Sequence, residues 1–166
     1  MKNNNSATVT RLIQVGDKEN DINIIRQLFR EYEAELGVDL CFQSFDAELA
    51  DPLKKYGPPH GTLLLVLWEE EPAGCIALKS LDEPGVCEMK RLYVRPAYRK
   101  HGIGRLLVDA LLEAAKQKGY TTMKLDTLQR LQPAIRMYEQ YGFVHTTAYY
   151  DNPIGDVVYM EKALLG

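Results

Sequence analysis

Hydrophobic positions in this chain switch between helical and strand-like spacing, and the switches mark out its elements. Residues 8–15 are β-branched and partly alternating, which predicts a first strand. Ile24, Ile25, Leu28, Phe29, Tyr32 and Leu36 then recur at helical spacing, with Asp17 or Asn20 as the cap and Gly37 as the stop. Residues 45–55 read as a short helix and 56–61 (Tyr-Gly-Pro-Pro-His-Gly) as a turn cluster. Residues 62–69, 73–81 and 86–94 predict a meander of strands, with turns at Glu70-Glu71-Pro72 and Asp82-Glu83-Pro84-Gly85. Leu106, Leu107, Ala110, Leu111 and Ala114 form the stripe of a long helix, Arg105, Asp109, Glu113 and Lys116 its wet side, and Gly119 its end. Residues 120–127 read as a strand and 131–141 as a helix closed by Gly142. The final strands, 143–150 and 156–162, flank Asp151-Asn152-Pro153-Ile154-Gly155.

The predicted order is β-α-α-β-β-β-α-β-α-β-β, without repeat, linker or low-complexity tract. Residues 8–164 form a single domain in this reading, and residues 1–7 a polar, disordered start. The longest apolar run, Leu63 to Trp68, is far too short to span a bilayer, and the N-terminus has no apolar core of a signal peptide. Cys41, Cys75 and Cys87 are odd in number and lack Cys-x-x-Cys spacing, while His60, His101 and His145 are scattered. The expectation is a cytoplasmic, metal-free protein away from membranes. A pI near 5.7 argues against nucleic-acid binding.

One stretch departs from the acidic balance. From Arg95 to Arg105 the chain carries Arg95, Arg99, Lys100 and Arg105 and no acid, although its net charge is −3. An apolar strand runs into this loop, and Gly102-Ile103-Gly104 opens the long helix. Glycines let a ligand approach the backbone, and the first turn of a helix offers unpaired N–H groups with a positive dipole end. Such a junction suits a polyphosphate. A kinase- or ATPase-type P-loop is excluded, because Arg105-Leu106 stands where Lys-Ser/Thr is needed. A dinucleotide fingerprint is closer, since Lys124-Leu125-Asp126 supplies an acid about 20 residues on, but Leu107 replaces its third glycine.

The third reading is coenzyme A. Arg99-Lys100-His101-Gly102-Ile103-Gly104 resembles the Arg/Gln-x-x-Gly-x-Gly/Ala pyrophosphate loop of the GNAT N-acetyltransferase superfamily. Glu88-Met89-Lys90-Arg91-Leu92-Tyr93-Val94 looks like that family's fourth strand, and residues 134–143 like its Ala-x-x-x-Tyr-x-x-x-Gly-Phe segment. The order of elements agrees over nearly the whole chain. The resemblance implies an α/β (α+β) GNAT fold: a mixed, mostly antiparallel sheet of about seven strands, flanked by about four helices and splayed between strands four and five. It implies acetyl-CoA as cosubstrate, held by Leu92, Tyr93 and Val94 and by the loop residues Arg99, Lys100, His101, Gly102, Ile103, Gly104 and Arg105. The N–H of Val94 would then polarise the thioester oxygen.

Acetyl transfer to an amine needs the neutral amine. An alkylamine with a pKa near 10.4 is neutral to a fraction on the order of 10⁻³ at pH 7, so a base helps. Glu88 is the candidate base: counting by two places it beside Leu92 and Val94, provided no bulge intervenes. Its alternative is a solvated strand carboxylate paired with Lys90 or Arg91. Tyr138, at the tyrosine of the Ala-x-x-x-Tyr segment, is the candidate acid for the departing thiolate, against the alternative of a core tyrosine. Leu131 stands where family members often carry an asparagine that touches the pantetheine. Glu31, Glu33, Glu35, Asp39, Asp46 and Glu48 either attract a cationic acceptor or merely solvate their helices. Tyr149 and Asn152, in the stretch Tyr149-Tyr150-Asp151-Asn152-Pro153 between the last strands, are candidates to line an acceptor pocket, the alternative being a plain hairpin turn. The expected partner is a small-molecule or peptide amine. A homodimer paired through the last strands is open, as are a non-catalytic acyl-CoA sensor and a nicotinamide-dependent oxidoreductase.

Overall fold

The computed structural model describes residues 7–40 and 44–164, so most of the expected disordered start, and Cys41, lie outside the described residues. The strands are β1 (Thr10–Gln14), β2 (Thr62–Trp68), β3 (Glu71–Ser80), β4 (Val86–Val94), β5 (Thr122–Leu128), β6 (Val144–Thr146) and β7 (Val157–Ala163). The helices are α1 (Glu19–Leu36), α2 (Phe45–Ala50), α3 (Pro52–Tyr56), α4 (Ile103–Gln117) and α5 (Gln132–Gln140). One seven-stranded sheet runs β1-β2-β3-β4-β5-β7-β6. Only the β4–β5 pair is parallel. The sheet is therefore mixed and mostly antiparallel, as the resemblance implies.

Each face of the sheet carries its own core. On one side α4 and α5 bring Leu107, Leu111 and Ile135 against Ile76, Met89 and Met123. On the other, α1 and the two short helices bring Ile25, Leu28, Phe29 and Tyr56 against Leu65 and Ala77. Fully burying such side chains contributes about 1.5–3 kcal/mol each. β2 and the middle of β3 are buried on both faces and read as nearly continuous apolar runs, whereas β4 is as buried but carries Glu88, Lys90 and Arg91.

Several boundaries move from their expected places for local reasons. The α1 cap is Lys18, without a side-chain hydrogen bond, rather than Asp17 or Asn20. The helix expected over 45–55 is two, because Asp51 leaves helical dihedrals ahead of Pro52 and its carboxylate accepts the Lys54 N–H at 3.3 Å. The β2–β3 turn sits at Glu69-Glu70, both at positive φ, so Glu71 and Pro72 belong to β3. The α4 stripe turns toward Ile103, Val108, Leu112 and Ala115, leaving Leu106, Ala110 and Ala114 half-buried. β6 is only three residues long, since the chain after Thr146 becomes a loop carrying Tyr149 and Tyr150.

Two irregularities open the centre of the sheet. β4 pairs with β5 only through Val86, Cys87 and Glu88, opposite Thr122, Met123 and Lys124. Past that point the strands part. On the other side of β4, Lys90 faces Ala77 and Tyr93 faces Cys75, so Arg91 and Leu92 together stand opposite Ile76. This is a bulge, and Arg91 takes φ 59° within it. A bulge bends its strand, which here carries the end of β4 away from β5. It also reverses the alternation. Leu92 and Val94 join the α4–α5 core with Cys87 and Met89, whereas Glu88 and Lys90 face the α1–α3 side. The count that placed Glu88 beside Leu92 and Val94 is corrected accordingly.

Candidate active site

The parting of β4 and β5 makes a cleft of about 630 Å³, walled by Leu92, Tyr93 and Val94, by the start of α4, by Leu125–Thr127, and by Met137 and Tyr138 of α5. Its β4 wall exposes backbone. Arg95 donates its N–H to Ala73 O on β3 at 2.8 Å, so the preceding peptide groups of Val94 turn the other way, into the cleft. The Val94 carbonyl confirms the direction, since it accepts from Arg99 Nε at 2.9 Å. Gly74 makes this wall possible: a Cβ there would lie 2.7 Å from Tyr93 O.

At the far end, Gly102 caps α4 at φ 78°, a conformation that favours glycine. Leu106 N–H makes the first helical bond, to Gly102 O at 3.0 Å, which leaves the amides of residues 103–105 without intrahelical acceptors. The cations around them are already oriented by protein. Arg99 grips Glu35 at 2.6 Å, and Arg95 grips Glu31 at 2.8 Å. Arg105 bonds Gln140 and lies over the Tyr141 ring. Lys100 and Gly102 line the cleft, but the His101 ring does not; it stacks on Trp68 with centroids 4.7 Å apart.

Tyr138 lines the middle of the cleft, only 6% exposed, its ring edge-on to Phe143. Burial pushes its hydroxyl pKa well up, so it remains a proton donor throughout the ordinary pH range.

Glu88 belongs to a second cavity, of about 720 Å³, on the α1–α3 side. This basin lies between α2–α3 and the loop after β6, with β3, β4 and β5 as its floor. Tyr149 donates its hydroxyl to Glu88, and burial together with the Glu88 charge pushes the Tyr149 pKa far up. Lys90, 6% exposed, lines both cavities and stands 3.9 Å from Glu88 and 3.7 Å from Asp126. Tyr150 donates to Asp126, and Asn152 Nδ2 donates to the Tyr150 hydroxyl at 2.8 Å. Asn152 thus buttresses Tyr150 rather than lining the basin; its Oδ1 accepts the Ile154 N–H at 2.9 Å, closing the loop. A chain of polar contacts, Tyr149–Glu88–Lys90–Asp126–Tyr150, links basin to cleft.

The bulge that separates the two cavities is itself clamped. Arg91, 2% exposed, forks onto Glu48 of α2 with Nε–Oε2 at 2.7 Å and Nη2–Oε1 at 3.0 Å. Lys55 and the Tyr56 hydroxyl donate to the same carboxylate at 2.9 and 2.8 Å. Burial alone would raise the Glu48 pKa, but the Arg91 and Lys55 contacts outweigh it and hold it below its ordinary value.

The acids crowding α1 and α2 turn out to be largely committed. Glu31 serves Arg95, Glu35 serves Arg99, Glu48 serves Arg91, and Glu33 accepts the Leu40 N–H at 3.1 Å. Lys90 was expected as a partner of Glu88 and stands beside it. The fork of Arg91 onto Glu48 and the bond from Tyr150 to Asp126 were not foreseen, and Asp126 was noticed only as a dinucleotide acid. Alternation along β5 does put Lys124 and Asp126 on one face, the one signal that could have paired Asp126 with the site.

Comparison with known proteins agrees with this architecture. The family profile described as "Acetyltransferase (GNAT) family" matches residues 23–143. The chain belongs to the GNAT family. An uncharacterised N-acetyltransferase of Schizosaccharomyces pombe is 49% identical over 142 residues, 85% of this chain and 87% of that protein. Among solved structures, an acetyltransferase from Streptococcus agalactiae has a TM-score of 0.77 at 21% identity, over 93% of this chain and 98% of its own. A Klebsiella pneumoniae protein solved as a candidate acyl-CoA N-acyltransferase has a TM-score of 0.69 at 26% identity, over 95% and 99% of the two chains. This GNAT member therefore has the expected fold and is an acetyltransferase by family. Among the described residues, no helix is long and apolar enough to cross a membrane.

Proposed function

We propose that this chain transfers the acetyl group of acetyl-CoA to a primary amine by direct attack in a ternary complex. The observation that carries the reading is the parting of β4 from β5, which opens one cleft from the unpaired amides of α4 to the buried hydroxyl of Tyr138. A coenzyme A thioester supplies an activated acetyl group. The cleft's chemistry fits it: amides of residues 103–105 with Lys100 and Arg105 for a diphosphate, the outward peptide groups of Val94 for an amide-bearing arm, and apolar Leu92, Val94 and Met137 for its carbon chain.

In this scheme the Val94 N–H stabilises negative charge as it develops on the carbonyl oxygen. Tyr138 holds a proton for the leaving sulfur. Glu88, across the sheet from Leu92, accepts the amine's proton from the basin side, through a water or through Lys90. Of the described cysteines, Cys75 and Cys87 are buried away from the cleft, and burial pushes Cys75 far up and Cys87 up to about 12, so neither is a ready thiolate. That favours direct attack over an acyl-enzyme.

The test is thiol release from acetyl-CoA across amino acids, polyamines, aminoglycosides and peptides. Turnover with at least one amine is expected, and Tyr138→Phe should lower kcat about 100-fold without weakening coenzyme A binding. Coenzyme A binding without turnover on any amine would make the chain a sensor. Binding of NAD in preference to coenzyme A would overturn the reading altogether.

A further inference from the structure

The basin beside Glu88 has a charge pattern that a simple amine does not match. Its floor contains one cross-strand row: Lys79 on β3, Glu88 on β4 and Lys124 on β5 are register partners. Their side chains share a face and stand about one strand spacing apart, about 5 Å. Lys90, two residues along β4, spends its charge between Glu88 and Asp126. On the floor itself three lysines thus meet two carboxylates, Glu88 and, on the cleft side, Asp126, an excess of one cation confined to the half-buried floor. Around the wall and rim Lys54 and Lys55 face Glu48, Asp51, Asp82 and Glu83. The other acid nearby, Glu48, is taken by the Arg91 fork. Lys124 pairs with the rim residue Glu83, 69% exposed, at 3.9 Å, and leans over the Tyr149 ring at 5.4 Å. The remaining acids, Asp51 and Asp82, are exposed on the rim, where water screens them.

A polyamine would meet repulsion at Lys79 and Lys124. A neutral amine bearing a carboxylate carries one negative charge, which Lys79 and Lys124 on either side of Glu88 are placed to meet on the floor. We propose that the basin binds an α-amino acid as acceptor, its amine beside Glu88 and its carboxylate on Lys79 and Lys124. This rests on the acetyltransferase reading above. Lys79 and Lys124 then determine specificity, and the roomy cavity of about 720 Å³ leaves space for a side chain against Tyr149 and Tyr150.

Two measurements test it separately. In the thiol-release assay, amino acids are compared with their own carboxamides, in the wild type and in Lys79→Met and Lys124→Met, each checked for folding by thermal melting. The carboxamide should raise KM at least about tenfold, because a charge-assisted contact is lost, and each variant should shrink that ratio toward one. Lys79→Gln and Lys124→Gln serve if a methionine variant melts early. In a calorimetric titration, N-acetylalanine should bind the wild type about tenfold more tightly than N-acetylalaninamide, and lose that preference in the variants. Thiol release with carboxamides or decarboxylated amines as good as the amino acids would overturn the proposal while leaving the acetyltransferase intact. No thiol release from any acceptor, with N-acetylalanine still preferred over its amide, would overturn the acetyltransferase reading and keep the anion site. Equal binding of the two acetylated probes would overturn the anion site.

Discussion

Replacing Glu48 by Gln isolates the contribution of a single buried charge. The substitution keeps the side chain's size, so no cavity forms, but it leaves the Arg91 guanidinium, 2% exposed, without its counter-charge. Breaking a buried ion pair from one side costs about 3–5 kcal/mol. For a chain of this length each kcal/mol moves the melting temperature by about 2–4 °C, so a fall on the order of 10 °C is expected. Circular dichroism melting reads it directly. The pH dependence gives a second reading. The Glu48 pKa is lowered in the fold, so its stabilisation is fully present above the unfolded carboxylate pKa of about 4.3, and is lost as pH falls through the folded value. Wild type and Glu48→Gln should therefore differ at neutral pH and converge in acid. Because apolar residues of similar volume often replace a buried pair at little cost, Glu48→Leu combined with Arg91→Met and Tyr56→Phe, which also removes the buried hydroxyl that would lose its acceptor, should recover most of the loss. A shift below about 2 °C at neutral pH, or a gap between the curves that persists in acid, would refute the clamp.

Two further outcomes follow from the same geometry. Glu88→Gln should lower kcat/KM most at neutral pH and progressively less as pH approaches the amine's own pKa near 10, where a base is no longer needed; an unchanged pH–rate profile would remove Glu88 from the mechanism. Gly74→Ala should cost about 1–3 kcal/mol in urea unfolding, because the new Cβ would lie 2.7 Å from the fixed Tyr93 carbonyl, and an undisturbed midpoint would show that β3 and β4 can separate there freely.

Much of this molecule is written locally. β4 runs over the residues expected, 86–94, between the Pro84-Gly85 turn before it and Pro96 after it. Gly37 ends α1 and Gly102 opens α4, since both take positive φ and so need backbone freedom wherever the rest of the chain lies. The order of elements was legible for that reason, whereas the splay between the fourth and fifth strands came only as what the resemblance to the GNAT family implies. The Glu69-Glu70 turn was not, because glutamate is an uncommon residue at positive φ and sends no turn signal.

What only the tertiary structure decided is which side of the sheet the chemistry faces. One extra residue in β4 reverses the alternation, so Glu88 leaves the wall of Leu92 and Val94 and enters the basin with Lys79 and Lys124. The bulge carries no local signal, as it is stabilised by Glu48, 43 residues earlier in the chain. The same holds for the acids of α1, whose charge looked available for an acceptor until Arg95 and Arg99 were found to take it. Periodicity and glycine chemistry act between neighbours and survive in a sequence. Register, face and charge compensation act between strands and helices, and exist only once the chain has closed on itself.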